Sequence, residues 1–410
     1  MDRKTIYFDL NGVYFNRQNK LGETGLATHF STTKNRGEDS AIHLYSKGLI
    51  SEEQFWGETL KAVDDPAISM EQMKAKWFSS YTPNPQIKRV VRLLRAFGHN
   101  CQVISNTVRE RDEYLNRLFS YRDDFDAVYT SYEMNSVKPE LYSVLFSMSG
   151  HNVDNAIIVD DTEINIKQLT KMFPEAKTIL FSDYDSLAEG LHNNGIDLND
   201  YEQRYRHLWR GLNRNRRTVR NFLDKEVGDN MLSEILESAR FSPSARNIQP
   251  LEYLVIKSQN LREKLAHIAR QPQPKEAPVS IAIIGDIERA RKVGVISQHD
   301  TTTAEKGEHR FLYEDAAAAM MNMIYCAESL GISSLWISSF DESGLAKLLN
   351  IPPSYKPLTV LTLGYRASEP VVPPKRSLGE RLHYEQFSPK SANDSYLDFS
   401  KTINSIADSQ

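Results

Sequence analysis

The chain has 410 residues, with 50 Lys and Arg against 54 Asp and Glu and a net charge of −4. Hydrophobic residues make up 40% and charged residues 25%, the balance of a globular protein with two or three domains and a core in each. The lack of a basic excess argues against a general nucleic-acid binder, and no apolar run is long enough to cross a bilayer. The opening MDRKTIYFDLNGVYF has no apolar segment followed by a small-residue cleavage site. Cys101 and Cys326 lie in separate apolar runs, which excludes a disulfide framework and suits a reducing compartment. The expectation is a cytoplasmic protein acting on small molecules, with no nucleic-acid and no membrane partner.

In chain order, Thr5–Phe8 reads as a strand. Residues from about Leu21 to Pro83 read as largely helical, and Gln86–Phe97 has apolar positions at helical spacing. Cys101–Ile104, Ala127–Thr130, Ala156–Val159 and Thr178–Phe181 read as strands, with a helix at Glu140–Met148. Strands alternating with helices predict βαβ units and a parallel sheet. Their continuous apolar runs fit strands buried on both faces. The polar segment Asn193–Asn215 reads as a linker with some helix. Beyond it, Met231–Ala239 and Asp315–Ser329 read as helices, the second closed by Gly331. Tyr253–Ile256, Ser280–Ile284, Leu335–Ile337 and Thr359–Leu363 read as strands.

The first candidate site lies at the ends of the early strands. Asp9 follows the first, Ser105-Asn106 the second, and Asp160-Asp161 ends the fourth; Lys138-Pro139 precedes a helix. Residues at the carboxyl ends of parallel strands converge on one crevice. There Asp9 can attack phosphorus, while Ser105 and Lys138 neutralise phosphoryl oxygens. Asp9 and Asp160 offer oxygen ligands suited to Mg²⁺. Singly, each residue is equally a turn former or helix cap; together and in this order they resemble the haloacid dehalogenase-like (HAD) hydrolase superfamily over residues 1–197. The resemblance implies a metal set of Asp9, the Asn11 carbonyl, Asp160 and Asp161, and a helical cap at about residues 15–83, with Tyr45–Glu53 inside it. It departs at Asn11, where family phosphatases carry an Asp as general acid and base. An amide cannot exchange a proton at neutral pH, and that catalysis is typically worth 10²–10⁴-fold.

The second candidate site has two parts. Arg216-Arg217-Thr218-Val219-Arg220 offers guanidinium forks and a hydroxyl for a phosphate, whereas Arg204, Arg206 and Arg210 read as a solvated polar segment. Ser242-Pro243-Ser244-Ala245-Arg246-Asn247-Ile248-Gln249-Pro250 is either a ligand-binding turn or a self-bonded one. With the helix Asp315–Gly331, the segments Leu335–Phe340 and Leu363-Gly364-Tyr365, and the basic pair Lys375-Arg376, these resemble the FMN-dependent nitroreductase family over residues 213–387. The resemblance implies an FMN phosphate held by Arg216, Arg217, Thr218, Arg220, Lys375 and Arg376. It implies ring and ribityl contacts from Ser242, Ser244, Asn247 and Gln249, NAD(P)H as donor, and a homodimer with FMN at its interface. The polar stretch Gly294–Arg310, with His299 and Thr301–Thr303, reads as a lid or substrate loop.

The predicted class is α/β: a Rossmann-like HAD domain with helical cap at 1–197, a linker at 198–212, an α+β FMN domain at 213–390 and a polar tail at 391–410. The predicted function is FMN-dependent oxidoreduction, joined to a Mg²⁺-dependent phosphatase site weakened by Asn11. Alternatives are a bifunctional enzyme coupling redox to dephosphorylation, a branch that remodels flavin itself, and a non-catalytic flavin- and metal-binding scaffold.

Overall fold

The computed structural model describes residues 3–17, 40–62, 69–148, 152–296, 307–370, 372, 375–379 and 381–387. They form two compact units, Met1–Arg206 and His207–Gln410. The tail at 391–410, most of the 297–310 stretch and the cap segments 18–39 and 63–68 lie outside the described residues.

In the first unit, β1 (Thr5–Phe8), β4 (Asn100–Ser105), β5 (Ala127–Thr130), β6 (Ala156–Asp160) and β7 (Lys177–Leu180) form one sheet in the order β5-β4-β1-β6-β7. Every pairing is parallel. Alternate residues feed two cores: Ile6, Phe8, Val103 and Val159 in one, Tyr7, Ile104 and Ile158 in the other. That burial on both faces explains the unbroken apolar runs. Because β1 is central, its carboxyl end and those of β4 and β6 lie side by side. This is the Rossmann-like arrangement expected from the alternation.

The segment 15–83, expected to be a helical cap, is not helical throughout. Its ends, β2 (Phe15–Arg17) and β3 (Tyr81–Pro83), pair as an antiparallel ribbon, with Phe15 opposite Pro83. Between them lie α1 (Ala41–Ser46), α2 (Glu52–Ala62) and α3 (Met70–Phe78). A capping box starts α3, Ser69 and Gln72 satisfying each other's backbone N–H. Tyr45 stacks on Phe55 at 4.4 Å, and Trp56 packs edge-on to Trp77. Helices α4 (Pro85–Ala96), α5 (Arg109–Phe119), α6 (Glu140–Ser147), α7 (Glu163–Met172) and α8 (Tyr184–Asn193) complete the unit.

The expected linker at 198–212 is instead one helix, α9 (Leu198–Asn215). Its polar composition hid it. Pairs such as Arg204–Asp200 and Arg206–Glu202 support the solvated face. Leu198 and Tyr201 bury the other, and the Tyr201 hydroxyl hydrogen-bonds the His99 ring at 2.8 Å.

In the second unit, β8 (Leu251–Ile256), β9 (Val279–Asp286), β10 (Ser333–Ile337) and β11 (Tyr355–Gly364) form an antiparallel sheet in the order β10-β11-β9-β8. Pro357 in β11 sits at an irregularity of the β9 pairing, where its missing N–H costs least. Helices α10 (Asp229–Arg240) and α13 (Leu312–Ser329) share one core with this sheet, through Ile235 and Ala239 against Ala316, Ala319 and Met323. Small residues let α13 approach closely. Gly285 of β9 leaves room for Leu312, whose side chain a Cβ there would strike. Helices α11 (Gln259–Ala269), α12 (Ile287–Ile296) and α14 (Glu342–Leu348) flank the sheet. No helix among the described residues is long and apolar enough to cross a membrane.

Candidate functional site

At the carboxyl edge of the parallel sheet, β1, β4 and β6 deliver Asp9, Ser105 and Asp160, all buried. The Lys138 ammonium lies between the two carboxylates, 3.0 Å from Asp9 Oδ1 and 2.6 Å from Asp160 Oδ2. Asp160 also accepts from Tyr142 OH (3.1 Å), Thr162 N (2.9 Å) and Asn165 Nδ2 (3.1 and 3.2 Å). Asp9, Asp160 and Asp161 can each bring one oxygen within 4.8 Å of the others. Gly12, at φ +90°, makes the turn after Asp9, and a Cβ there would collide with Asp161.

The charges sort by environment. Burial pushes the Asp9 carboxyl up to about 6; Lys138 opposes this, and Asp160 adds to it. Burial also acts to raise Asp160, but Lys138 and the Thr162 and Asn165 bonds hold it below the ordinary carboxylate range. Asp161 is raised, by burial and then by Asp160. Lys138 is raised well above its ordinary value, because Asp9, Tyr142 and Asp160 outweigh its desolvation. At neutral pH the arrangement is a cation clamped by two carboxylates.

Asn11 works as a donor. Its amide reaches Ser105 Oγ at 3.4 Å and the Asn106 carbonyl at 3.0 Å. Asn106 in turn accepts the Lys138 N–H at 2.9 Å, so one loop positions both. A carboxylic acid at position 11 could donate to that carbonyl only when protonated, the state a general acid requires. Tyr142 and Asn165 were not singled out in the sequence, because their contribution is a partner rather than a motif; Asn106 was read only as part of the Ser105-Asn106 pair.

In the second unit, Thr218 bridges Ser334 at the start of β10, and Val219 N donates to the Ser334 carbonyl at 3.0 Å. Thr218 and Arg220 are exposed, and Arg216 is half-buried. Arg216 and Arg220 make no ion pair among the described residues. Arg217 turns back instead, donating to the carbonyls of Arg214 and Arg216 at the end of α9, which is a helix-capping role. Lys375 and Arg376 are exposed.

The turn after α10 carries backbone strain. Arg246, Asn247 and Gln249 have φ of 52°, 54° and 50°, a left-handed conformation costly for residues other than glycine. Asp315, in the first turn of α13 and 7% exposed, holds it by accepting the Ala245 N–H at 3.0 Å. Arg289 donates to the Ile248 carbonyl. Inside the turn Ser244 Oγ accepts from Gln249 N (3.0 Å), and Asn247 Oδ1 accepts from Gln249 Nε2 (3.1 Å). Ser242 Oγ donates to the Ala239 carbonyl at 2.8 Å. Ser242, Ser244 and Gln249 line a cavity of about 460 Å³ with Leu236, Arg240 and Tyr253. The arginine stretch and this turn stand at opposite ends of α13. Asp315 marks one end, and Ile332 N bonds Ala327 O at the other, about 18 Å away along the axis.

Residues 214–365 match the nitroreductase family. The chain is 27% identical over 179 residues to a Methanothermobacter thermautotrophicus protein provisionally named NADH dehydrogenase/NAD(P)H nitroreductase, covering 42% of this chain and 84% of that one. It is 27% identical over 177 residues to the FMN reductase [NAD(P)H] of Bacillus subtilis, covering 42% and 71%. A solved nitroreductase-like protein from Streptococcus mutans aligns at 22% identity over 43% of this chain and 98% of that chain, with a TM-score of 0.40.

Two stability measurements follow from these clamps. With its carboxyl near 6 rather than 3.8, folded Asp9 holds its proton more tightly than the unfolded chain, so its ionisation weakens the fold as pH rises from about 4 to 6. Asp9→Asn should therefore be more stable than the parent at pH 7.5, by about 1–3 kcal/mol. In urea titrations that difference should shrink towards zero near pH 4; a difference independent of pH contradicts the assignment. Asp315→Ala should lose about 1–3 kcal/mol by orphaning the Ala245 N–H. Asp315→Asn, which keeps an acceptor and drops a buried charge, should lose distinctly less.

Proposed function

We propose that the second unit is an FMN-dependent oxidoreductase that takes electrons from NAD(P)H and passes them to a small-molecule acceptor. The observation that carries this reading is one stretch, matched to the nitroreductase family, that holds both the phosphate-compatible Arg216 and Arg220 and a strained, carboxylate-clamped turn. The donor set fits the cofactor. Arg216, Thr218, Arg220, Lys375 and Arg376 suit a phosphate, with Arg217 relegated to the helix end. Asn247, Gln249 and the two serines suit a polar ring edge and a polyol chain. Bound FMN supplies the hydride and electron transfer; the protein supplies binding and orientation. That division needs no protein nucleophile.

Their placement toward opposite ends of α13, about 18 Å along its axis from Asp315 to Ala327, supports a homodimer. In a two-fold pair, the turn of one copy can complete the phosphate stretch of the other. Ser338 Oγ, 2.8 Å from the Trp336 indole N–H and 3.2 Å from Thr359 Oγ1, is fixed just beyond β10. It thereby orders the backbone of the segment assigned to approach the ring.

A second reading concerns the first unit, where the Asp9–Lys138–Asp160 geometry favours a HAD-like phosphoryl site. Its oxygen donors fit Mg²⁺, which would offset phosphoryl charge when bound. Asp9 is positioned to form an O–P bond as the substrate's ester bond to phosphorus breaks. Ser105 and Lys138 face the phosphoryl oxygens. The leaving alkoxide needs a proton, and Asn11 does not provide one, so turnover on poor leaving groups is slow. Two sites on one chain then suit either a coupled bifunctional enzyme or a redox enzyme whose first unit binds a phosphorylated ligand.

The purified full chain should carry FMN at about one per protomer, identified after denaturation. Arg216→Ala should lower occupancy at least tenfold with thermal melting of the apoprotein unchanged; full occupancy in that variant overturns the phosphate assignment. In the first unit, Asn11→Asp should raise alkyl phosphate hydrolysis with Mg²⁺ by about 10²-fold or more. No increase would contradict the assigned proton deficit.

A further inference from the structure

The loop after Asp9 is built for an amide at position 11. Gly12 N donates to the Phe15 carbonyl at 2.8 Å and Phe15 N to the Leu10 carbonyl at 2.7 Å, so the backbone around Asn11 closes on itself. The half-buried Asn11 side chain commits its two N–H donors to Ser105 Oγ and the Asn106 carbonyl, at 3.4 and 3.0 Å. That carbonyl can only accept, which fixes the amide nitrogen on its side. The proton-bearing side chains nearby are engaged as well. The Lys138 ammonium contacts Asp9 and Asp160, and the Tyr142 hydroxyl donates to Asp160.

Attack by Asp9 on a phosphate has a proton requirement in each of its steps. First, an Asp9 oxygen bonds to phosphorus as the bond from phosphorus to the donor's bridging oxygen breaks, and the electron pair stays on that oxygen. An alkoxide leaving this way must be given a proton, whereas a carboxylate is already a stable anion at neutral pH. Second, water attacks the phosphoryl group on Asp9 and must give up a proton. An amide at position 11 serves neither step, and such a transfer is worth about 10²–10⁴-fold. The energetics point the same way. A phosphoryl group on Asp9 is a mixed anhydride, so an ester loads it only if hydrolysis then pulls the reaction forward, while another mixed anhydride loads it directly.

We propose that Asp9 is a modification site: it takes the phosphoryl group of an acyl phosphate, releases the carboxylate and keeps the group as a long-lived aspartyl phosphate. The first unit is then a phosphoryl acceptor loaded by small molecules of the mixed-anhydride class. It discriminates against phosphoesters of alcohols by the stability of the departing anion. The proposal rests on reading the first unit as a phosphoryl site.

The test is intact-mass analysis of the full chain after incubation with Mg²⁺ and either acetyl phosphate or ethyl phosphate. Acetyl phosphate should add a single phosphoryl group to most chains, on Asp9 by peptide mapping, and ethyl phosphate should add none. Asp9→Asn should stay unlabelled. After removal of the donor, the label should persist about 10²-fold longer in the parent than in Asn11→Asp. Steady hydrolysis of acetyl phosphate by the parent with no label retained means that another group serves the water, and overturns the proposal while leaving a phosphoryl site in place. So does a parent inert to acetyl phosphate beside an active Asn11→Asp. Equal labelling by both donors, or a label that survives Asp9→Asn, overturns it as well. If neither the parent nor Asn11→Asp is labelled by, or hydrolyses, either donor, the phosphoryl-site reading itself fails.

Discussion

A single buried ammonium holds the first unit's site together. Lys138 lies within 3.0 Å of two carboxylates that the sheet topology brings to one edge, and neither carboxylate could stay ionised there alone. Removing Lys138 would leave two buried carboxylates without their cation, a loss typically of about 3–5 kcal/mol. The surrounding groups follow from this: Tyr142 and Asn165 complete Asp160, Asn106 fixes the Lys138 backbone, and Asn11 anchors Asn106. The second unit uses the opposite sign for the same purpose. Asp315, buried at the start of α13, holds a turn whose left-handed residues would otherwise relax.

These two clamps have different chemical consequences. Around Lys138 one ammonium faces two carboxylates, so the cluster keeps a net negative charge. Around Asp315 the charge is spent on backbone, so the turn presents amides and hydroxyls without net charge. The arginines that would supply charge lie at the far end of the same helix. A cofactor with an anionic phosphate at one end and a neutral polar ring at the other matches that division.

Much of this could be read in the sequence. The strand-end residues Asp9, Ser105 and Asp160, with Lys138 ahead of a helix between the last two, were legible because a parallel sheet converts their order along the chain into proximity. The turn at Ser242–Pro250 and the Ala-rich α13 were legible from composition and period. Helix α9 was read only as a linker with some helix, since its apolar residues, though at helical spacing, stand among many charged ones, and of them Tyr205, Leu208 and Trp209 stay exposed. Asp315 was invisible for a related reason, since it acts on a backbone amide 70 positions away. Arg217 looked like a phosphate ligand, but the helix carbonyls before it claim its donors.

The central claim, that the second unit performs flavin redox chemistry, is tested most directly by anaerobic titration of the full chain as purified, following its flavin absorbance. Added NADH or NADPH should bleach the bound flavin in proportion to the reductant supplied. Admitting an electron acceptor should restore the colour. A chain that holds no flavin, or one whose flavin stays oxidised with excess of either nucleotide, would contradict the account.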